Sequence, residues 1–202
     1  MLKFAVVNYG VGNLRNVKRG FENFGVDVSI TSDSKKILES DAIIFPGVGA
    51  FAEAMKNLSS MANELKEAIS DGKPTFGICL GLQLLFERSY EGGLNHGLGL
   101  IKGEVVRIDA NLKLPHIGWN TIEIERENLL VDEILNNSFM YFAHTYVPRP
   151  VDEYVIVAET EYGMRFPSII AKNNIFATQF HPEKSGKNGL KILGNFTRIV
   201  KR

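Results

Sequence analysis

The first half of the sequence alternates short apolar segments with segments of helical periodicity, and this alternation restricts the fold more than any other feature. Apolar runs that predict buried strands lie at residues 4–8, 26–31, 42–45 and 75–78. Apolar residues that recur every three or four positions predict amphipathic helices at 14–24, across 51–71 and at 80–87. Because strands that alternate with helices pair in parallel, we expect an α/β fold with an open, mostly parallel twisted sheet flanked by helices.

The second half of the sequence carries mainly strand patterns, which implies that further strands join the sheet. They lie at residues 98–108, 121–125, 139–146, 154–161 and 168–180, and Asn173-Asn174 divides the last of them as a hairpin turn would. A short helix is expected at 129–135. A final helix, with Ser185 as its N-cap, carries Leu190, Leu193, Phe196 and Ile199. We therefore expect additional antiparallel strands in the C-terminal half.

Length and charge narrow the classes of protein to which the chain can belong. Its 202 residues suit a single domain over 1–202. Lys and Arg together number 23, as do Asp and Glu, and a chain without a basic excess is not expected to bind nucleic acid. The one cysteine excludes an intramolecular disulfide, and no apolar run approaches the ~20 residues that span a bilayer. Since no signal-peptide pattern is present either, we expect a cytoplasmic protein without a membrane partner.

The single cysteine, Cys79, lies where a predicted strand meets a predicted helix, within the pattern Gly-Ile-Cys-Leu-Gly. This is the nucleophile-elbow pattern with cysteine in place of serine, and its sharp turn presents the side chain at the carboxyl end of the strand. The helix N-terminus favours the thiolate, and the N–H of Leu80 points toward a developing oxyanion. A lone cysteine in an apolar strand is often only a core residue, but the glycines on both sides favour a nucleophile.

A base for this thiol is predicted in the stretch His181-Pro182-Glu183, which follows an apolar strand. Side chains at i and i+2 of extended backbone point to the same side, and the proline keeps the histidine extended. Glu183 can then accept a hydrogen bond from one ring nitrogen while the other faces Cys79. The alternatives are an idle surface His–Glu pair and a zinc site made from the same three side chains. No second cysteine or His-x-x-His pattern supports zinc.

A glycine-rich turn, Pro46-Gly47-Val48-Gly49-Ala50-Phe51, follows the predicted strand at 42–45. Glycines let backbone N–H groups come close to a substrate, so this loop is a candidate for a second oxyanion donor. Taken alone, the pattern indicates only a turn.

These three stretches, in this order and with Leu82-Gln83 after the elbow, resemble the class I (triad) glutamine amidotransferase family. Further matches at 9–14, 114–120 and 143–146 extend the resemblance over essentially the whole chain. The resemblance implies a flavodoxin-like α/β glutaminase that hydrolyses L-glutamine to glutamate and ammonia through a cysteine thioester.

The resemblance also assigns roles to individual positions of this sequence. It makes Cys79 the nucleophile, His181 the acid and base, and Glu183 the group that orients His181. It implies oxyanion donors at Leu80 and in the segment with Val48 and Gly49. The residues that it implies for substrate binding are Gly49, Gln83, Thr145 and Tyr146, the last two through their backbone at the α-carboxylate and α-amino ends of glutamine.

The stretches at 46–51 and 114–120 narrow the resemblance to glutaminases that supply ammonia to a (β/α)₈-barrel cyclase subunit in histidine biosynthesis. A heterodimer with that cyclase is implied, and the positions that match its interface or the ammonia exit are Asn13, Trp119, Tyr141 and Lys184. Taken alone, Trp119 suits a core as well as an interface. We expect His116 and His144 to have structural or positioning roles.

Other functions remain open on the residues alone. They are the glutaminase of a different amidotransferase, a binding subunit with a degenerate site, and an unrelated cysteine hydrolase. The stretch at 116–120 argues against a different amidotransferase. The intact set of Cys, His and Glu argues against a degenerate binding subunit, and Gln83 argues against an unrelated cysteine hydrolase. The turn Gly10-Val11-Gly12 lacks the third glycine of a dinucleotide fingerprint, so no nucleotide and no other cofactor is expected.

Overall fold

The computed structural model describes residues 1–10, 12–109 and 111–202, and strands alternate with helices through its first half. The elements there are β1 (Lys3–Val7), α1 (Leu14–Glu22), β2 (Asp27–Thr31), α2 (Ser34–Leu38), β3 (Ala42–Phe45), α3 (Phe51–Leu58), α4 (Ala62–Ser70), β4 (Thr75–Ile78) and α5 (Leu80–Leu84). The short helix α2 was not expected. It begins after Asp33, whose carboxylate accepts hydrogen bonds from the backbone N–H groups of Lys35 and Lys36.

The second half is mainly strand. Its elements are β5 (Phe86–Ser89), β6 (Asn95–His96), β7 (Ile101–Arg107), β8 (His116–Ile124), β9 (Ser138–His144), β10 (Tyr146–Pro150), β11 (Ile156–Glu161), β12 (Arg165–Lys172), β13 (Ile175–Thr178) and α6 (Gly186–Val200). The helix predicted at 80–87 is wrong beyond Leu84, because Phe86 begins a strand that pairs with β7. The helix predicted at 129–135 is a single 3₁₀ turn, Leu129–Val131. Within the described ranges, no helix has the length and apolar character needed to cross a membrane.

The main sheet has nine strands in the order β2-β1-β3-β4-β13-β12-β11-β8-β9. From β2 to β13 neighbouring strands are parallel, and from β13 to β9 they are antiparallel. A second sheet has the order β10-β7-β5-β6. The expected α/β fold, with a parallel sheet and antiparallel strands added by the C-terminal half, is therefore confirmed.

Alternation along β1 divides the apolar core into two layers, one on each face of the main sheet. Phe4 and Val6 belong to the layer that contains α1 and α6, whereas Ala5 and Val7 belong to the layer that contains α3, α4 and α5. In the first layer the ring centroids of Phe76 and Phe196 are 4.9 Å apart. Burial on both faces holds the parallel strands firmly, so their carboxyl ends offer a rigid edge.

The last helix begins where predicted, but the side chain of Ser185 does not cap it. Its hydroxyl donates to the carbonyl of His181 at 2.7 Å and accepts from the backbone N–H of Tyr141 at 2.9 Å. The backbone N–H of His181 in turn donates to the carbonyl of Tyr141 at 2.9 Å. Ser185 therefore connects β9 to the turn after β13 and fixes the backbone of His181.

The turn between β4 and α5 packs against the end of β3 with no space for a side chain. A Cβ on Gly81 would lie 2.0 Å from the carbonyl oxygen of Phe45. A Cβ on Gly77 would lie 2.9 Å from the backbone of Gly81. Both contacts are with backbone atoms, which cannot rotate away as a side chain can, so both positions require glycine.

We expect Gly81→Ala to lower the free energy of unfolding by about 3 kcal/mol or more, because β3 or α5 must move to admit the methyl group. Gly25→Ala is the control: unlike Gly81, which lies in α5, Gly25 has left-handed backbone with a φ of +69°, but a Cβ there meets nothing within 4 Å. That variant carries only the left-handed backbone cost of about 1–2 kcal/mol. Urea unfolding followed by circular dichroism measures both, and equal losses would contradict the steric argument.

Candidate active site

Cys79 occupies the sharp turn between β4 and α5 with φ of 51° and ψ of −103°. A non-glycine residue adopts this conformation only where its surroundings enforce it. Here the backbone N–H of Cys79 donates to the carbonyl of Thr178 at the end of β13, at 2.7 Å. The turn places the thiol at the carboxyl edge of the parallel strands, where open α/β sheets bind ligands. The structure thus forms the elbow that the sequence predicts.

His181 and Glu183 form a buried pair beside this turn. The Nδ1 atom of His181 lies 2.9 Å from Oε1 of Glu183, and their side chains are 1% and 0% exposed. His181 has φ of −96° and ψ of 95°, the extended geometry that its following proline favours. Because a carboxylate only accepts, Nδ1 carries the proton and Nε2 is left for chemistry. The pair is therefore not an exposed surface contact.

The charge on His181 depends on its neighbours. Burial lowers the pKa of His181, but the adjacent Cys79 and the Glu183 carboxylate outweigh burial and raise the pKa to about 10. Within the described residues Nε2 forms no hydrogen bond, yet Cys79 is near enough to act on the ring. The imidazole therefore lies where a base that serves a cysteine nucleophile must lie.

Gln179 is a contact of the sulfur that sequence reasoning missed. Its Nε2 lies 3.5 Å from Sγ of Cys79, and its Oε1 accepts from Nε2 of Gln83 at 3.3 Å. The side chain is fully buried just after β13, so an amide N–H is aimed at the thiol from a fixed position. The sequence signal that could have marked Gln179 is a glutamine in a mostly apolar strand, two residues before the predicted base.

A cavity of about 210 Å³ opens beside the sulfur. It brings together all residues predicted for the oxyanion hole and for substrate binding. Its lining consists of Val48, Gly49, Cys79, Leu80, Gln83, Glu91, Pro115, Ala143, His144, Thr145 and Tyr146. Gly49 has a φ of 145°, a conformation that glycine adopts readily and other residues do not. The cavity can therefore bring backbone N–H groups close to a ligand held against Cys79.

Glu91 is the acidic residue of this lining, and no sequence pattern marked it. It follows β5 in a stretch with two glycines that reads as an ordinary loop. Its Oε2 accepts from the backbone N–H of Phe51 at 3.2 Å. Burial raises the pKa of Glu91, although the Phe51 N–H counteracts this. A carboxylate placed there provides the cavity with a partner for a cationic ligand group.

Asn13 contacts the Glu183 carboxylate directly. Its Nδ2 donates to Oε1 of Glu183, the same oxygen that accepts from His181, and its Oδ1 accepts from Nδ2 of Asn16 at 2.6 Å. Asn13 precedes α1 in left-handed backbone, with φ of 69°. The resemblance implies that Asn13 lies at the partner interface or near the ammonia exit, and the structure adds its contact with Glu183.

Trp119, Tyr141 and Lys184 cluster on the surface near this link. Trp119 is 56% exposed, and its ring meets that of Tyr141 edge-on at 5.9 Å. The Nζ atom of Lys184 lies 5.6 Å from the centroid of Tyr141. Trp119 is therefore not a core residue, and an exposed aromatic cluster of this kind suits an interface.

Two buried histidines, His116 and His144, lie next to Tyr146, and His144 also lines the cavity. The Nδ1 atom of His144 lies 3.0 Å from the carbonyl oxygen of Tyr146, and Nδ1 of His116 lies 3.3 Å from Nε2 of His144. Burial lowers the pKa of His116 to about 4. Burial and the nearby His116 lower the pKa of His144 to about 3. In the described part of the chain, no group of three or more His, Cys, Asp or Glu side chains is arranged to hold a metal ion.

Comparison with known proteins defines the class of protein that this site represents. The profile of the family "Glutamine amidotransferase class-I" matches residues 5–200. The chain therefore belongs to the class I glutamine amidotransferase family.

Three relatives that match nearly the whole chain are described as "Imidazole glycerol phosphate synthase subunit HisH". The protein from Methanocaldococcus jannaschii is 48% identical over 195 residues, which cover 96% of this chain and 98% of the relative. The protein from Caldanaerobacter subterraneus subsp. tengcongensis is 46% identical over 198 residues, covering 97% and 98%. That from Aquifex aeolicus is 46% identical over 204 residues, covering 100% and 99%.

Two solved structures with this fold are more distant in sequence than these relatives. A glutamine amidotransferase crystal structure has a TM-score of 0.76 at 20% identity, covering 98% of this chain and 99% of that chain. The PurLQS structure from Thermotoga maritima has a TM-score of 0.76 at 19% identity, covering 98% of both chains. These two structures confirm the α/β fold expected of a class I amidotransferase.

We expect Asn13→Ala to lower kcat for glutamine hydrolysis about tenfold, because the carboxylate of Glu183 loses one of its hydrogen-bond donors. Asn13→Asp should lower kcat further, since it places a second carboxylate against Glu183. KM should change little, because Asn13 does not line the cavity. Steady-state assays with Asn16→Ala as the milder control test this, and an unchanged kcat in both Asn13 variants would contradict it.

The two neutral histidines make stability depend on pH in a definite direction. Below about pH 6.5 the unfolded chain protonates both imidazoles, while folded His144 and His116 stay neutral down to about 3 and 4. Stability should therefore fall as the pH is lowered from 6.5 toward 4. In this window the free energy of unfolding of the wild type should fall by about 1.4 kcal/mol per pH unit more than that of His144→Asn. Urea unfolding at several pH values measures both free energies. An equal pH dependence in the wild type and in His144→Asn would refute the prediction.

Proposed function

We propose that this chain hydrolyses L-glutamine to glutamate and ammonia and supplies the ammonia to a cyclase subunit that makes imidazole glycerol phosphate in histidine biosynthesis. The carrying observation is the buried arrangement of Cys79 with His181 and Glu183 beside the cavity lined by the oxyanion and substrate residues. Near-full-length identity of 46–48% to proteins described as HisH supports the pathway. We propose that residues 1–202 act as one amidotransferase domain.

The proposed reaction has two halves that share one histidine. The Cys79 thiolate attacks the carboxamide carbon of glutamine, and the resulting oxyanion accepts from the N–H of Leu80 and from the Val48–Gly49 segment. Each such donor is worth about 3 kcal/mol in the transition state. His181 gives its Nε2 proton to the departing ammonia, which leaves a thioester on Cys79. The same nitrogen then takes a proton from water as the water attacks the thioester and releases glutamate.

The cavity lining suggests how glutamine is oriented. Its carboxamide meets Cys79, and its α-carboxylate accepts from the backbone around Thr145 and Tyr146. Glu91 supplies a carboxylate for the α-ammonium group. Gln83 lines the cavity beside the substrate and also fixes the Tyr146 backbone, since its Nε2 donates to the carbonyl of Tyr146 at 2.9 Å. No metal or organic cofactor takes part in this scheme.

The proposed partner is a (β/α)₈-barrel cyclase that forms a heterodimer with this chain through the cluster of Trp119, Tyr141 and Lys184. Support comes from exposure, since a large aromatic ring next to a cation is a typical interface anchor. Lys184 directly follows Glu183, so this surface adjoins the triad. A cytoplasmic location for the complex is part of the same proposal.

The test is glutamate release from glutamine by the wild type and by Cys79→Ala, each with and without the cyclase subunit and its nucleotide ligand. We expect release only by the wild type and a rise when the cyclase is added, while circular dichroism shows that Cys79→Ala folds. Release that ignores the cyclase would refute the partner and retain the glutaminase. Undiminished release by Cys79→Ala would refute the nucleophile.

A further inference from the structure

We propose that His144 is a positioning residue for glutamine. It is the last side chain in a series of hydrogen bonds that all run in the same donor-to-acceptor direction. This hydrogen-bond chain fixes the backbone that receives the α-carboxylate of the substrate. The chain runs from Asn120 through His116 and His144 to the carbonyl of Tyr146. This inference rests on the proposed function, since it takes the cavity at Thr145 and Tyr146 to bind glutamine.

The chain consists of successive contacts between β8, β9 and the start of β10. Nδ2 of Asn120 lies 3.4 Å from Nε2 of His116, and Nδ1 of His116 lies 3.3 Å from Nε2 of His144. Nδ1 of His144 lies 3.0 Å from the carbonyl oxygen of Tyr146. Both histidines are buried, at 3% and 6% exposure, so water does not replace these partners freely.

The chemistry of the end groups fixes the direction of the whole chain. The carbonyl of Tyr146 only accepts, so Nδ1 of His144 carries the proton and its Nε2 accepts. His116 must then donate from Nδ1 and accept at Nε2, where the Asn120 amide donates. Each ring carries one proton, which agrees with the neutrality that burial gives both of them. With both rings neutral, this arrangement satisfies all four groups.

Aromatic packing keeps the rings in the planes that these bonds need. His116 stacks on Tyr162 at 4.0 Å with an interplanar angle of 15°, and on Phe142 at 5.0 Å with an angle of 18°. His144 meets Phe166 edge-on at 5.2 Å. A ring held between two others cannot rotate, so its nitrogens stay aimed along the chain.

The end of the chain is the point where the backbone crosses from one sheet to the other. β9 ends at His144, β10 begins at Tyr146, and Thr145 belongs to neither strand. The carbonyl of Thr145 accepts from the N–H of Ile108 at 3.0 Å, so the N–H of Tyr146 in the same peptide points the opposite way. The next peptide is held by two donors on the Tyr146 carbonyl, from Gln83 at 2.9 Å and from His144. Removing one of them frees the segment that binds the carboxylate.

The test compares His144→Leu, which has no donor, with His144→Asn, whose amide N–H replaces Nδ1. We expect KM for glutamine to rise about tenfold or more in His144→Leu, with kcat within about threefold of wild type. His144→Asn should keep KM within about threefold of wild type. Alkylation of Cys79 by iodoacetamide, which has no α-carboxylate, should proceed at the wild-type rate in both variants. A merely structural role would change kcat and alkylation together with KM.

The inference is overturned if His144→Leu keeps the wild-type KM, or if KM rises as much in His144→Asn as in His144→Leu. It is also overturned if alkylation of Cys79 slows in the variant whose KM rises. A wild type that is alkylated but releases no glutamate would instead refute the proposed function. A second measurement needs no variant to fold well. Nitrogen-15 spectra of histidine-labelled wild type should show His116 and His144 neutral with the proton on Nδ1. A proton on Nε2 of His144 would overturn the chain.

Discussion

The strained turn at Cys79 is the constraint on which the rest of the site depends. The residue is held at a φ of 51° because glycines at 77 and 81 allow β3, β4 and α5 to approach within backbone contact. The N–H of Cys79 is fixed by Thr178, so β13 is part of the same clamp. Strain of this kind persists only where surrounding structure enforces it. Two packed apolar layers provide that enforcement, and the active site is thus sustained by the core.

Burial of the triad makes every polar partner important. Oε1 of Glu183 accepts from both His181 and Asn13, and no hydrogen bond to Oε2 is formed by the described residues. A buried carboxylate is costly unless it is paired, so the imidazolium and the asparagine amide both stabilise its charged form. The same charge raises the pKa of His181, together with Cys79. Histidines with different surroundings behave oppositely: His116 and His144 face aromatic rings and remain neutral.

The sequence predicts the strands at the site better than it predicts the contacts between them. β3 and β4 have the expected bounds, because each is a fully buried apolar run closed by a turn. The end of α5 was wrong because pairing of Phe86 with β7 decides it, and helical periodicity carries no information about that pairing. The prediction that Ser185 caps the last helix failed for a similar reason: its hydroxyl donates to the carbonyl of His181 and accepts from the N–H of Tyr141, which lies 44 residues earlier in the chain. Glu91 has no local pattern, since only folding brings its loop to the cavity.

The arrangement also explains how a reaction of this kind can respond to another molecule. The triad carboxylate touches Asn13 on one side and is followed in the chain by Lys184 on the other. Lys184 lies over Tyr141, whose backbone fixes both His181 and Ser185. A molecule bound over Trp119, Tyr141 and Lys184 would therefore contact the segment whose backbone holds His181. The substrate wall is held separately, through Gln83 and His144 on the Tyr146 carbonyl. Among the described residues the two anchors share no hydrogen bond, so the orientation of His181 and the shape of the substrate wall depend on different contacts.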